Sequence, residues 1–249
     1  MTIWQRLKHQ LTTLQPCLKC LLCDETTESK RLPICTDCES ELPWLRAHCS
    51  VCALPMHGAE LICGECQRNP PLFEKVVVPW SYSFPVQSMI NRFKHQAQWP
   101  LGRLLGDLLS DHIQHSFADG LAPPDALLPV PLTPQRQRQR GFNQAQILAN
   151  SLGKQLHIAL LNHGLTRVID APAQQGLDAA SRKKNLRNAF LVPPKAQVQG
   201  LHLALVDDVL TTGATAQILS KLLLNAGATR VDVYCLARTP KPGTLLDLY

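Results

Sequence analysis

From residue 121 onward the chain alternates short apolar runs with apolar positions at helical spacing. The runs at Ala126–Val130, Ile158–Leu165, Leu201–Val206 and Arg230–Leu236 predict strands. Asn143–Gln155 and Ala214–Ala226 repeat apolar residues with the period of a helix. That alternation predicts an α/β fold, a parallel sheet covered by helices. Upstream, Lys75–Ser83 predicts one more strand, and Val86–His115 a helical stretch. There Met89, Ile90 and Phe93 share one face, as do Leu101, Leu104, Leu105, Leu108 and Leu109. Pro100 should break or restart that helix. Residues 1–74 show little regular pattern. Three parts follow: 1–74, a bridge at 75–120, and 121–249.

The irregular first part is explained by its cysteines. Nine of the ten lie between positions 17 and 66, and Cys235 stands apart. No apolar run approaches the ~20 residues that cross a bilayer. The start, MTIWQRLKHQLTTLQPC, has Arg6 and Lys8 but no apolar core behind them, unlike a secretory signal. The expectation is a cytoplasmic protein without membrane insertion. Disulfides are rare in that reducing compartment, so clustered cysteines point to metal. Four C-x-x-C pairs stand out: Cys20/Cys23, Cys35/Cys38, Cys49/Cys52 and Cys63/Cys66, with gaps of 11, 10 and 10 residues between pairs. Two sulfurs on one tight turn can hold adjacent corners of a tetrahedron, and a second turn closes it. Four turns give two closed, structural zinc sites.

Cys17/Cys20 has the same spacing. Cys20/Cys23 is preferred, because it evens the gaps and places Asp24 where a knuckle wants a residue tolerant of left-handed backbone. Sequential pairing, first with second and third with fourth, is the choice; a cross-braced arrangement fits the same spacings. His48 and His57 are read as surface residues. The module has a core too thin to fold without metal.

Charge is uneven. Residues 1–74 carry 7 Lys+Arg and 9 Asp+Glu, and residues 75–249 carry 18 and 10. The basic character belongs to the second region, so the overall charge of +6 overstates a general affinity for nucleic acid.

The stretch LALVDDVLTTGAT, residues 203–215, carries the chemistry. A near-continuous apolar strand reaches Asp207 and Asp208 at its carboxyl end, where ligands of open α/β sheets bind. Thr211, Thr212, Gly213 and Thr215 then lead into a helix. Amides of such a turn, the positive helix end and threonine hydroxyls can cradle a phosphate. The stretch resembles the phosphoribosyl pyrophosphate (PRPP) motif of type I phosphoribosyltransferases. That resemblance implies ribose contacts for Asp207 and Asp208. It implies PRPP contacts across Val209 and Leu210, and 5′-phosphate contacts for Thr211, Thr212, Gly213, Ala214 and Thr215. Mg2+ would be held mainly by pyrophosphate and ribose oxygens, with water or a carboxylate completing its shell.

Two further segments join it. In LLPVPLTPQRQRQRGFNQAQ, Val130, Pro131 and Leu132 form the loop after the first strand of the fold, which in such enzymes receives the pyrophosphate. Arg140 follows it, and Asn143 is placed to cap the next helix. The arginines alone would read as a solvated basic loop. In TRVIDAPAQQGLDAASRKKNLRNAF, a long and poorly patterned stretch resembles a mobile catalytic loop. Arg182, Lys183 and Lys184 would cover the leaving group. Together, the cysteine pairs, V-P-L…RGFNQ, T-R…R-x-x-N-L-x-x-A-F and VDDV-x-TTG-x-T resemble the ComF/ComFC family, including its GntX-like members.

That family resemblance implies a type I phosphoribosyltransferase-like parallel sheet flanked by helices, behind a Cys-rich zinc-binding module. It also implies a link to competence, with handling of internalised single-stranded DNA, and other DNA-uptake proteins as partners. Residues 75–120 would be the hood over the acceptor. No base-reading constellation is evident there; Lys94 is a candidate contact, though a helix-face lysine reads as well. The alternative function is a nucleotide- or single-stranded-DNA-binding factor that keeps the fold without turnover.

Overall fold

The computed structural model describes residues 18–56, 61–168 and 189–241. The chain forms two compact units, which divide between Leu42 and Pro43. The second Cys-rich segment therefore shares a unit with the sheet.

In the first unit, Lys19 bridges Thr26 in antiparallel fashion around the Cys20–Cys23 turn, and α1 spans Thr36–Ser40. In the second unit the elements run α2 (Gly64–Arg68), β1 (Val76–Val77), β2 (Trp80–Ser81), α3 (Val86–Gln96) and α4 (Trp99–Ala118). They continue through β3 (Ala126–Pro129), α5 (Pro134–Arg140), α6 (Gln144–Leu156), β4 (Ala159–Leu160) and β5 (Thr166–Arg167). Last come β6 (Phe190–Leu191), β7 (His202–Leu210), α7 (Ala214–Asn225) and β8 (Arg230–Arg238).

The main sheet has the order β1-β8-β7-β3-β4, with β2 also pairing β8. Every pairing in it is parallel, as the strand–helix alternation required. Side chains alternate between two buried faces. Leu203, Leu205, Val231, Val233 and Cys235 pack into one core with Ala216, Leu219 and Leu223 of α7 and with Cys49, Cys52, Cys63 and Cys66. The alternate residues, Ala204, Val206, Tyr234 and Leu236, are also buried. On the other side of the barrier between the layers, α4 packs on α6 and on β8, while α6 packs on β3 and β7.

Three local features differ from the sequence reading. The run Ile158–Leu165 is not one strand. It pairs with β3 only at Ala159–Leu160 and then turns through Asn162-His163-Gly164. A Cβ on Gly164 would lie 2.7 Å from Leu128 Cδ2, so the chain passes close to β3 only with glycine there. β5 then pairs antiparallel with β6 in a separate two-stranded ribbon. Second, the basic run at 134–140 is the helix α5, capped by the Thr133 hydroxyl accepting from the Arg136 amide at 3.2 Å. Pro134 stands at its start, where a missing amide costs nothing. Third, β7 runs past Val206 to Leu210, so the paired aspartates lie inside the strand.

Pro100 sits in the first turn of α4, and Ala97, with a left-handed φ of 51°, ends α3 before it. The two helices meet at Gly102, where a Cβ would fall 2.4 Å from the Phe93 ring. Gly102→Ala must displace Phe93, and the expected cost is about 1–3 kcal/mol in urea unfolding. An unchanged midpoint would show that the helix pair tolerates the methyl group.

Candidate functional site

The two cysteine clusters are built alike. Each has a tight turn carrying two sulfurs, followed by a short helix carrying two more. Asp24 and Ala53, the residues just after the turns, have left-handed φ values of 65° and 53°. Their amides bond back to Cys20 O at 3.0 Å and Cys49 O at 2.9 Å. Cys35 and Cys63 are the N-caps of α1 and α2. The sulfurs of Cys20, Cys23, Cys35 and Cys38 lie within 4.8 Å of one another, as do those of Cys49, Cys52, Cys63 and Cys66. The Cys23–Cys35 and Cys52–Cys63 sulfurs are 3.7 Å apart. A zinc–sulfur bond of about 2.3 Å gives tetrahedron edges of about 3.8 Å, so both sets fit zinc. Pairing is sequential, with Cys20 in the set; Cys17 and His57 lie outside the described residues. The second cluster is buried throughout, while the first exposes Cys23. His48 is exposed, as expected.

The carboxylates are positioned by unequal strand lengths. β7 pairs with β3 only as far as Val206 and Pro129, but with β8 as far as Leu210 and Arg238. Beyond Val206 the β3 side of β7 is open, and Asp207 and Asp208 lie there. The loop Val130–Leu132 leaves β3 at the same level. Its Val130 carbonyl accepts from Asn143 Nδ2 at 3.0 Å, and Asn143 Oδ1 caps α6 by accepting from the Ala145 amide.

Asp208 is buried and well partnered. Its Oδ2 accepts from Lys94 Nζ at 2.6 Å and from Gln144 Nε2 at 3.0 Å. Gln144 Oε1 is buried and has no hydrogen-bond partner among the described residues. Asp207 Oδ1 accepts from the Asp208 amide at 2.8 Å. Burial first, and the adjacent Asp208 carboxylate second, push the Asp207 carboxyl up to about 8. Lys94 is the cation that stands against this pair of carboxylates.

After β7 the chain turns through exposed Thr211 and Thr212 to Gly213, whose φ of 77° requires glycine. Gly213 is the N-cap of α7 and offers no side chain to its amides. Only the Ala214 amide finds a nearby hydroxyl, Thr212 Oγ1 at 3.4 Å. An uncapped helix start beside threonine hydroxyls can receive an anion.

One buried side chain ties this turn to the second zinc site. Arg238 Nε donates to Cys52 O at 2.9 Å, and Nη1 donates to Leu210 O at 3.1 Å, to Thr239 O at 2.9 Å and to Thr211 O. Arg140, at the end of α5, lines a cavity with Lys94. Arg182, Lys183 and Lys184 lie outside the described residues. The β5–β6 ribbon brackets that segment, with the Arg167 guanidinium 5.1 Å over the Phe190 ring.

Gln144 and Arg238 were not assigned to the site by sequence, and Lys94 was singled out only as a candidate contact of the hood, not as the partner of Asp208. RGFNQ signalled Gln144 only as part of a helix start, and Arg238 lies beyond the Arg230–Leu236 strand read from the sequence.

Two outcomes follow. Arg238→Lys keeps the charge but loses the planar fork, and should lower unfolding free energy by about 3 kcal/mol in urea titration. A loss under 1 kcal/mol, on the same order-of-magnitude scale, would deny the tie its structural weight. Asp207 holds its proton far above the ordinary carboxylate value of 3.8, so its contribution to stability is complete below about pH 4. That contribution is lost as pH rises through about 8. Wild type should therefore lose up to about 1.4 kcal/mol per pH unit across this window, and Asp207→Asn should show a shallower slope. Parallel slopes in melts at stepped pH would contradict it.

Comparison with known proteins agrees with these features. Residues 11–67 match the double zinc ribbon domain family. The chain is 35% identical over 221 residues to the DNA utilization protein YhgH of Escherichia coli strain K12, covering 88% of this chain and 96% of that one. A solved structure of similar fold is the glutamine PRPP amidotransferase from B. subtilis, at 20% identity and TM-score 0.36, covering 54% of this chain and 25% of that one. Identity is again 35%, over 222 residues, 88% of this chain and 96% of the other, with competence protein F of Haemophilus influenzae. A relationship sustained over so much of both proteins is a family relationship: the chain belongs to the ComF/ComFC competence family.

Proposed function

We propose that the chain binds PRPP and acts as a phosphoribosyltransferase-like protein in the handling of internalised single-stranded DNA. One observation carries the reading. Paired carboxylates on the open edge of β7 are followed, within the same short segment, by the uncapped, threonine-flanked start of α7. A sugar phosphate needs those two halves together: acceptors for hydroxyls and donors for a phosphate.

Asp207 and Asp208 would then hold the ribose hydroxyls. Thr211, Thr212 and Thr215 would hold the 5′-phosphate through hydroxyls, and Gly213 and Ala214 through the backbone. Val130–Leu132, with Arg140, would receive the pyrophosphate. Arg182, Lys183 and Lys184 are assigned by sequence to cover it. Transfer breaks the bond from the anomeric carbon to pyrophosphate and forms one to the acceptor. The residues act by positioning and by matching charge, with no covalent nucleophile. Lys94 brings the hood helix α3 directly to Asp208, which joins the 75–120 segment to the sugar site. Magnesium fits as a ligand-borne ion, because Asp208 is already paired with Lys94 and Asp207 holds its proton. Bound there, it would neutralise pyrophosphate charge.

A second reading is favoured by Arg136, Arg138 and Arg140 on α5, which form no salt bridge among the described residues. Such a helix could grip a DNA backbone without turnover, in keeping with the names of the relatives.

Calorimetric titration of the zinc-loaded protein with PRPP and magnesium separates the two. Saturable binding that disappears in Asp207→Asn/Asp208→Asn is expected. A folded wild type that ignores PRPP, yet binds single strands with steep salt dependence, would favour the second reading.

A further inference from the structure

Beside Asp208, a cavity of about 430 Å³ opens between α3 and α5. Its lining includes Lys94, His95, Arg136, Gln139, Arg140 and Phe142. The volume suits a small organic ligand. Every ionisable side chain in the lining is basic. Lys94 spends its charge on Asp208, but Arg136 and Arg140 form no salt bridge among the described residues. They stand four residues apart on one short helix, a spacing at which like charges repel. Burial draws Arg140 below its ordinary value, Asp208 opposes that, and Arg136 adds to it. An arrangement that costs stability when empty of anions is relieved by an anion.

The anion alone does not account for the remaining wall. Phe142 packs on Trp99, ring centroids 4.6 Å apart, and on Phe93 at 5.7 Å. Trp99 is 50% exposed. A half-exposed aromatic pair beside guanidiniums offers a face to a planar ring. A pyrophosphate would use the cations and waste that face; an uncharged base would use the face and leave the cations unmatched.

We propose that this cavity is the acceptor subsite, and that its ligand is a planar aromatic ring bearing an anionic group. The ring lies against Phe142 at the Trp99 edge, and the anionic group is held by Arg136, with Arg140 shared between it and the pyrophosphate of PRPP. As the acceptor's place it rests on the PRPP reading above, since Lys94 both lines the cavity and meets Asp208. As a binding site it stands by itself.

The ring anion has two sources, a ring carboxylate or a nucleotide with its phosphate, so both are probes. The full-length, zinc-loaded chain is titrated calorimetrically, without PRPP, with orotate, AMP, adenine and inorganic pyrophosphate. Orotate or AMP should bind at least tenfold tighter than adenine, on the order of one charge-assisted contact. Arg136→Gln/Arg140→Gln should weaken that binding by about tenfold or more. Phe142→Leu should weaken it by about three- to tenfold. Gln139 is exposed, so Gln139→Glu adds a carboxylate to the cavity without disturbing packing. It should lower ring-anion binding and leave the melting temperature in place. Ring-anion binding that is indifferent to Phe142→Leu would overturn the proposal, as would adenine matching orotate and AMP. Ring-anion binding that survives Asp207→Asn/Asp208→Asn, while PRPP fails to bind wild type, would overturn only the PRPP reading.

Discussion

A guanidinium buried without a carboxylate must find its hydrogen bonds among carbonyls, and Arg238 is built this way. Its fork joins Cys52 of the second knuckle to Leu210 and Thr211, where β7 gives way to the turn before α7. The knuckle, the last strand and the turn are thereby fixed as one piece. With zinc bound, the guanidinium's charge would be matched at longer range. Four thiolates around one zinc ion carry a net charge of about −2, and Cys52 is one of them. The second cysteine cluster is thus part of the wall behind the turn before α7, and the core that includes Cys49, Cys52, Cys63 and Cys66 also includes Leu205 and Ala216. The first cluster has the same chemistry, but it belongs to a separate compact unit.

The same concern with charge runs through the front of the site. Two adjacent acids inside a strand would repel if both were ionised. Burial favours the protonated form of Asp207, and Lys94 is set against Asp208, so that repulsion is lowered on both sides of the pair. Gln144 adds a second donor, and its amide orientation follows from that: only with Nε2 toward Asp208 is the contact attractive. The cations left over lie on α5, outside the pair. Acid and base are segregated along one short path, with Lys94 touching both.

What could be read from the sequence divides along physical lines. The cysteine turns were legible because metal geometry acts over four residues, and Asp24 signalled its own backbone conformation. The sheet and its helices were legible from periodicity, and Asn143 and Pro100 from rules that hold within one turn of helix. Where the reading fell short, the cause was contact at long range. The end of β7 is set by β8, which outlasts β3, and no local pattern says so. Ile158–Leu165 looks like one strand until Gly164 is seen against Leu128. Lys94 lies on a helix face that looks solvated until Asp208, far along the chain, is placed beside it. Helix α5 was legible in principle, since Thr133 and Pro134 form a helix start; three alternating arginines drew attention to charge instead.

Val76 pairs with Val233 and Trp80 with Ala237, so strands near the front of the unit wait for the strand at its end. Arg238 likewise meets Cys52 across 186 positions. During synthesis on the ribosome, the knuckle emerges early and can take up zinc by local closure. The strand that it is to lean on does not yet exist. Neither the sheet's central pair nor the turn before α7 can settle until β8 has left the exit tunnel. The nascent chain thus carries a loaded metal site and unpaired strand edges for most of its translation, and loss of the last strand would leave a zinc protein with no pocket.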